Sequence, residues 1–272
     1  MTLKIRNTIQ FLLIILFFAI FLCFAIFTAI QMAGSNFCYP ENHHFLENRS
    51  FAALNYDYNS ILASIFTLLI YAILTLLYMR ISFEKTQSNE LVYFTMFIIG
   101  VFCEGVRLLF PLMDLWHTNT SFTIFLSKIV IFGRAISVGS ILFSSLFSSN
   151  EYRQYSEQNL ILIILAGIFF AKIMPLNSMS TTPIGHLDWA FGSLLRIIQL
   201  VIFMVGILAM ILKEFIADSK IKIPVMTLVF YFGYLQICDS YCWLNYGIGT
   251  AMCFTGTFYY LKNLHNYYMW NL

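Results

Sequence analysis

Apolar runs of about twenty residues recur along the whole of this chain, and that is the length at which a helix crosses the hydrocarbon core of a bilayer. In hydrocarbon every backbone N–H and C=O needs an internal partner, which a run of this length supplies as a helix. The expected fold is therefore all-α, a polytopic transmembrane bundle of about eight spans. Composition agrees: 60% of the 272 residues are hydrophobic and only 10% are charged, against about a quarter charged in a soluble domain. The net charge of +2 says little, because the position of charge outweighs its sum in such proteins. Nucleic acid is not an expected partner; the bilayer is.

The apolar runs place spans near Ile9–Met32, Ile61–Met79, Leu91–Leu112, Phe122–Phe147, Leu160–Pro175, Ala190–Leu212, Ile221–Ile237 and Trp243–Leu261. The first is longer than the apolar core of a secretory signal and is read as a retained span. As one helix, the last two would be roughly 60 Å long, about twice the hydrocarbon thickness. Asp239, Ser240 and Asn245 lie midway, so a tight re-entry around Cys238–Asn245 is expected, with seven spans as the alternative. The chain reads as one integral membrane domain over 1–272. Within it, 33–59 forms an outer loop and 262–272 a short inner tail. With the N-terminus inside, Lys4, Arg6, Arg80, Lys85, Arg153, Lys213, Lys220, Lys222 and Lys262 fall on inner segments, while the outer loops hold Arg49 alone. This positive-inside asymmetry sets the orientation, in a plasma or bacterial inner membrane. Trp116, Trp189 and Trp243 fall at outer span ends, where an aromatic belt belongs.

Arg107, Lys128, Arg134, Lys172 and Arg196 sit inside these apolar runs. A central Arg or Lys costs about 2.5–3.5 kcal/mol on the insertion scale, against a gain of about 0.3–0.6 for each Leu, Ile, Phe or Val. The runs can carry them, but the cations should face the bundle interior and find partners. Glu104 and Arg107 are three apart and share a face, extended by Gly100 and Pro111. Gly192, Arg196 and Gln199 form a polar face on the sixth span. Two readings follow. In one, Glu104 pairs with Arg107 or Arg134 while Lys128, Lys172 and Arg196 snorkel to headgroups. In the other, Glu104, Arg107, Lys128, Arg134, Lys172, Arg196 and Gln199 line an outward-facing basic cavity for an anionic small molecule or lipid headgroup. Asp114, Asp188 and Asp239 would then offset part of the charge at the rim. Binding or sensing through a membrane protein partner is the leading function; a small anion or solute permease and an intramembrane lipid-acting enzyme are the alternatives.

Gly133, Ser137, Ser140, Ser144 and Ser148 form a small-residue stripe on the fourth span. Such a stripe lets another helix approach closely, within the chain or across a homodimer. Gly249, Cys253 and Gly256 suggest a weaker packing face on the last span. His43, His44, His117 and His186 are expected in outer loops as solvated residues, and their spacing matches no zinc pattern, so no metal is expected. No His lies within a span, which argues against haem and against a Ser–His hydrolase; no cofactor is expected. Cys38, Cys238 and Cys242 share the outer compartment, so a disulfide from Cys38 to either of the others is open. Asn48-Arg49-Ser50 and Asn119-Thr120-Ser121 read as glycosylation acceptors.

Overall fold

The computed structural model describes residues 3–34, 37–40, 55–84, 86, 88–116, 120–147, 155–216 and 222–270. Most of the 33–59 loop lies outside the described residues. So do Glu41, His43, His44, Arg49, Lys85, His117, Ser148, Arg153, Lys220 and the asparagines of both glycosylation triplets.

The described chain is an up-and-down bundle of eight long helical runs. In order they are α1 (Leu3–Ala33), α2 (Tyr58–Ser82), α3 (Asn89–Phe102), α5 (Ser121–Leu146), α6 (Ser156–Ile173), α7 (Gly192–Ile216), α8 (Lys222–Cys238) and α9 (Trp243–Trp270). A 3-10 segment, Cys103–Leu108, and the short α4 (Leu109–Leu112) continue α3. Six of these runs are long and apolar enough to cross a membrane; α8 is shorter, and α9, though 28 residues long, is not one of the six. The expected break between the last two helices is present: α8 ends at Cys238, and Asp239–Cys242 turn the chain into α9. The expected 262–272 tail differs, because α9 continues to Trp270, with Leu264 buried and the Tyr268 hydroxyl donating to Glu90 at 3.2 Å.

Between α6 and α7 stands a feature that the hydrophobic pattern leaves unmarked. Strands β1 (Leu176–Thr182) and β2 (His186–Trp189) pair as an antiparallel hairpin with an irregularity between Asn177 and Thr181. Its turn has Pro183 in the second position, where a fixed φ suits the bend, and the Gly185 N–H donates to the Thr182 carbonyl at 3.1 Å. Gly185 has φ +89°, a conformation that glycine adopts without a Cβ clash.

Two ends of the bundle are defined by bonds between distant segments. At the hairpin end, the Trp116 indole donates to the Cys38 carbonyl at 2.9 Å, Thr181 Oγ1 donates to the Trp116 carbonyl, and the Trp243 indole donates to Asp57 at 2.6 Å. Asp57 also caps α2 by accepting from the Asn59 N–H. At the opposite, terminal end, Arg6 is buried and donates to the Phe83 and Thr86 carbonyls, tying α1 to the α2–α3 connection. Lys213 lies 3.4 Å from Glu90 there, joining α7 to α3.

Helix α5 packs against α3, α6 and α7. Its stripe makes the α3 crossing possible. A Cβ on Gly100 would meet the Gly133 carbonyl oxygen at 2.5 Å, and one on Gly133 would meet Cys103 Cβ at 2.6 Å. Gly133, Ser137, Ser140 and Ser144 are all buried by neighbouring helices of the same chain, with α3 closest at Gly133 and Ser137. Ser137 and Ser140 donate back to carbonyls one turn earlier, which satisfies their hydroxyls without a cross-helix partner. The tightest pairing is α8 with α9, the face expected to be weaker. Gly233 lies against Gly249 and Cys253 backbone atoms, and a Cβ on Gly256 would sit 2.6 Å from the Phe230 nitrogen.

The core runs between these helices. Phe94, Phe97, Phe230, Tyr231, Tyr234 and Tyr260 pack in its middle, with Phe97 against Phe230 and Tyr234 edge to face. α1, α6 and α7 instead leave most of their apolar surface uncovered. Trp116 and Trp189 are buried, and Trp243 is exposed. The aromatic-belt expectation therefore fails for the first two, which pack inward beneath the hairpin-end loops. No disulfide forms: all six cysteines are thiols, with Cys238 and Cys242 buried.

Candidate functional site

Glu104 and Arg107 lie in the 3-10 segment that follows α3. At three residues per turn, side chains three apart eclipse, so this local tightening sets the carboxylate beside the guanidinium. Arg107 Nη1 donates to Glu104 Oε2 at 2.9 Å, and both side chains are 0% exposed. From α5, Arg134 reaches the same carboxylate. Its Nε donates to Oε1 at 2.8 Å and its Nη2 to Oε2 at 3.4 Å. Arg134 then extends the chain outward, its Nη1 lying 3.3 Å from Asp239 Oδ1 in the α8–α9 turn. Asp239 Oδ2 in turn lies 3.3 Å from Arg196 Nη2 on α7. The order is Arg107–Glu104–Arg134–Asp239–Arg196, three cations against two carboxylates. The network is buried at one end and exposed at the other: Asp239 is 32% exposed and Arg196 60%.

The hairpin closes the buried end. Arg107 Nε donates to the Ile184 carbonyl in the turn at 2.9 Å. A Cβ on Gly185 would lie 2.9 Å from the Arg107 carbonyl oxygen, so the glycine also permits the close seat. The Leu187 N–H donates to Ser127 Oγ on α5 at 2.9 Å, anchoring β2. The Trp189 ring lies 4.9 Å from the Arg134 guanidinium carbon and stacks on His186 at 4.7 Å. Cations over an aromatic face are favoured by the ring quadrupole.

His186 is the clearest departure from its sequence reading. Expected as a solvated loop residue, it is 5% exposed, and its Nδ1 lies 2.8 Å from the Leu187 carbonyl. Burial, together with the positive field of Arg134 and Arg107, pushes its pKa down to about 3, with the Leu187 carbonyl and Glu104 acting in the opposite sense. The imidazole is neutral at ordinary pH.

Of the seven residues expected to meet in one basic cavity, Glu104, Arg107, Arg134 and Arg196 are joined in one chain of ion pairs. Lys128 is elsewhere: its Nζ donates to the Lys172 carbonyl at 2.9 Å in the last turn of α6, where a cation complements the helix dipole. Lys172 is exposed. Gln199 is buried one turn beyond Arg196 and lies outside the ion-pair chain. Asp239, expected only at the rim, is an integral link, whereas Asp188 is exposed on β2. Sequence reasoning misses Ser127, Ile184, Gly185 and Trp189; Thr182-Pro183-Ile184-Gly185 is the signal that marks a turn there.

Two buried donors in this cluster meet no acceptor among the described residues: Arg107 Nη2 and Trp189 Nε1. Donors therefore exceed acceptors. No group of three His, Cys, Asp or Glu able to hold a metal occurs among the described residues. Comparison with protein-family models, curated proteins and solved structures gives no match.

Proposed function

We propose that this chain is a multi-pass integral membrane protein, N-terminus inside, that binds or senses an anionic small molecule or lipid headgroup at its hairpin end and acts through a partner. The observation that carries this reading is the uncompensated arginine charge of a network that reaches the surface at Arg196 and Asp239. An anion arriving between α7 and the α8–α9 turn would compete with Asp239 for Arg134 and Arg196. The membrane part rests on six long apolar helices and on the distribution of Lys and Arg.

A second reading has a specific observation in its favour. Glu104 and Arg107 are fully buried, as a purely structural network requires. Permeation is the weaker alternative, because the aromatic cluster around Phe97, Phe230 and Tyr260 fills the bundle below the network. Acid–base chemistry is weaker still: both oxygens of Glu104 are taken by two arginines.

The test is a thermal-shift screen in neutral detergent, with anionic metabolites and phosphatidylglycerol, on the parent and Arg196→Met. The binding reading expects an anion-dependent shift in the parent that Arg196→Met diminishes. The absence of a shift across the panel would leave the structural network as the surviving reading.

A further inference from the structure

The two buried arginines use the same edge of the guanidinium in different ways. Nε and Nη2 point the same way from the plane, and together they form the fork that accepts both oxygens of a carboxylate or phosphate. In Arg134 this fork is full: Nε and Nη2 take the two oxygens of Glu104. In Arg107 it is half full. Nε holds one neutral carbonyl oxygen, that of Ile184 in the hairpin turn. Nη2 is buried and meets no acceptor among the described residues. Leaving a charged donor unsatisfied in the interior is costly, and a single carbonyl cannot satisfy a two-pronged edge.

We infer that the Nε/Nη2 edge of Arg107 is a binding site for an oxyanion, a carboxylate or phosphate group, and that the turn of the hairpin occupies half of it as a removable stand-in. This rests on the anion-binding reading above but names a different locus, the buried end rather than the rim. The hairpin meets the network and its surroundings through both its turn and its second strand. Its turn touches the network through the Ile184 carbonyl and the close seat of Gly185, and its second strand through the Leu187–Ser127 bond and the Trp189 ring. Pro183 and Ile184 are only partly buried, so an arriving oxyanion meets the turn first. Displacing the Ile184 carbonyl would fill both prongs of Arg107 and cancel the single excess positive charge. Hairpin displacement would then be the signal passed to a partner.

The test uses the full chain in neutral detergent, with sodium acetate, sodium phosphate or sodium chloride at matched ionic strength. It reads the thermal midpoint and the hydrogen exchange of the hairpin amides. A parallel arm in nanodiscs with and without phosphatidylglycerol separates a headgroup source from a soluble one. Gly185→Ala unseats the turn, through positive φ and the Arg107 carbonyl, without touching a charge. Arg107→Lys keeps the charge and removes the fork. The expected result is a midpoint raised by acetate or phosphate beyond chloride, with hairpin exchange accelerated tenfold or more. Affinity should be several-fold higher in Gly185→Ala than in the parent. Arg107→Lys should lose the preference over chloride and Arg196→Met should keep it. If Arg107→Lys does not fold, the comparison of Gly185→Ala with the parent decides, and equal oxyanion affinity overturns the inference. Chloride acting as strongly as acetate and phosphate also overturns it. A preference that survives Arg107→Lys but is lost in Arg196→Met overturns it while leaving the rim site standing. No anion response in any form overturns both.

Discussion

Glu104 accepts from two arginines at once, so its removal strands two cations rather than one. Breaking a buried ion pair from one side typically costs about 3–5 kcal/mol, whereas replacing both partners with apolar groups is often neutral. Glu104→Gln is expected to fall in that range by chemical or thermal unfolding in detergent. Adding Arg107→Met should recover much of the loss, because Arg134 keeps Asp239. An additive double mutant would show that Arg107 and Glu104 are not coupled. His186 gives a second prediction at this scale. Its pKa is about 3 in the folded protein and about 6.5 when unfolded. The unfolded chain therefore binds more protons between these values. The stabilising contribution is whole above about pH 6.5 and is lost as pH falls towards 3, reaching about 2 kcal/mol by pH 5. His186→Gln should flatten the stability profile over that window; an unchanged slope would mean that the ring is not buried neutral. The pairing of Glu104 with Arg107 is legible in the sequence, since they stand three positions apart. The burial of His186 is not, because Thr182-Pro183-Ile184-Gly185 marks a turn beside it but not what that turn packs against.

At the scale of elements, two crossings are set by missing side chains. Gly133→Ala on α5 and Gly256→Ala on α9 should each overpack a closed interface, at a cost of about 1–3 kcal/mol. Phe125→Leu, at a residue 60% exposed on the same helix as Gly133, should be nearly silent in the same unfolding assay. Equal stability of Gly133→Ala and the parent would mean that α3 does not approach the stripe closely. The stripe itself is readable as a pattern of four and three. What covers it is a tertiary fact, since the same pattern serves an intramolecular or an intermolecular neighbour. The reversal on α9 has a similar cause. Gly249, Cys253 and Gly256 look sparse alone and become the closest contact in the bundle because Gly233 stands opposite.

Across the whole molecule, the alternation of ends yields a labelling pattern. With the hairpin end outside, single cysteines at the exposed positions Tyr39 and Asp188 should react with an impermeant reagent from outside. Those at Glu84 and Tyr267 should react only from inside. External labelling at position 84 would overturn the orientation, and at position 267 it would reduce the spans to seven. Eight helical runs, the break at Asp239 and the presence of cations needing partners follow from the sequence, because long apolar runs and lone charges are local signals with strong solvation energies behind them; the terminal limits of α1 and α9, six and nine residues beyond the apolar runs, do not. The tertiary structure decided which cations those signals concerned. Lys128 was sent to the end of α6 and Arg134 to Glu104, although both lie on one helix, because their side chains project from different faces. It also decided that fourteen residues between two spans fold back over the charges as a hairpin. That arrangement depends on a glycine with positive φ meeting an arginine carbonyl 78 positions away in sequence, and no periodicity within a single segment encodes such a meeting.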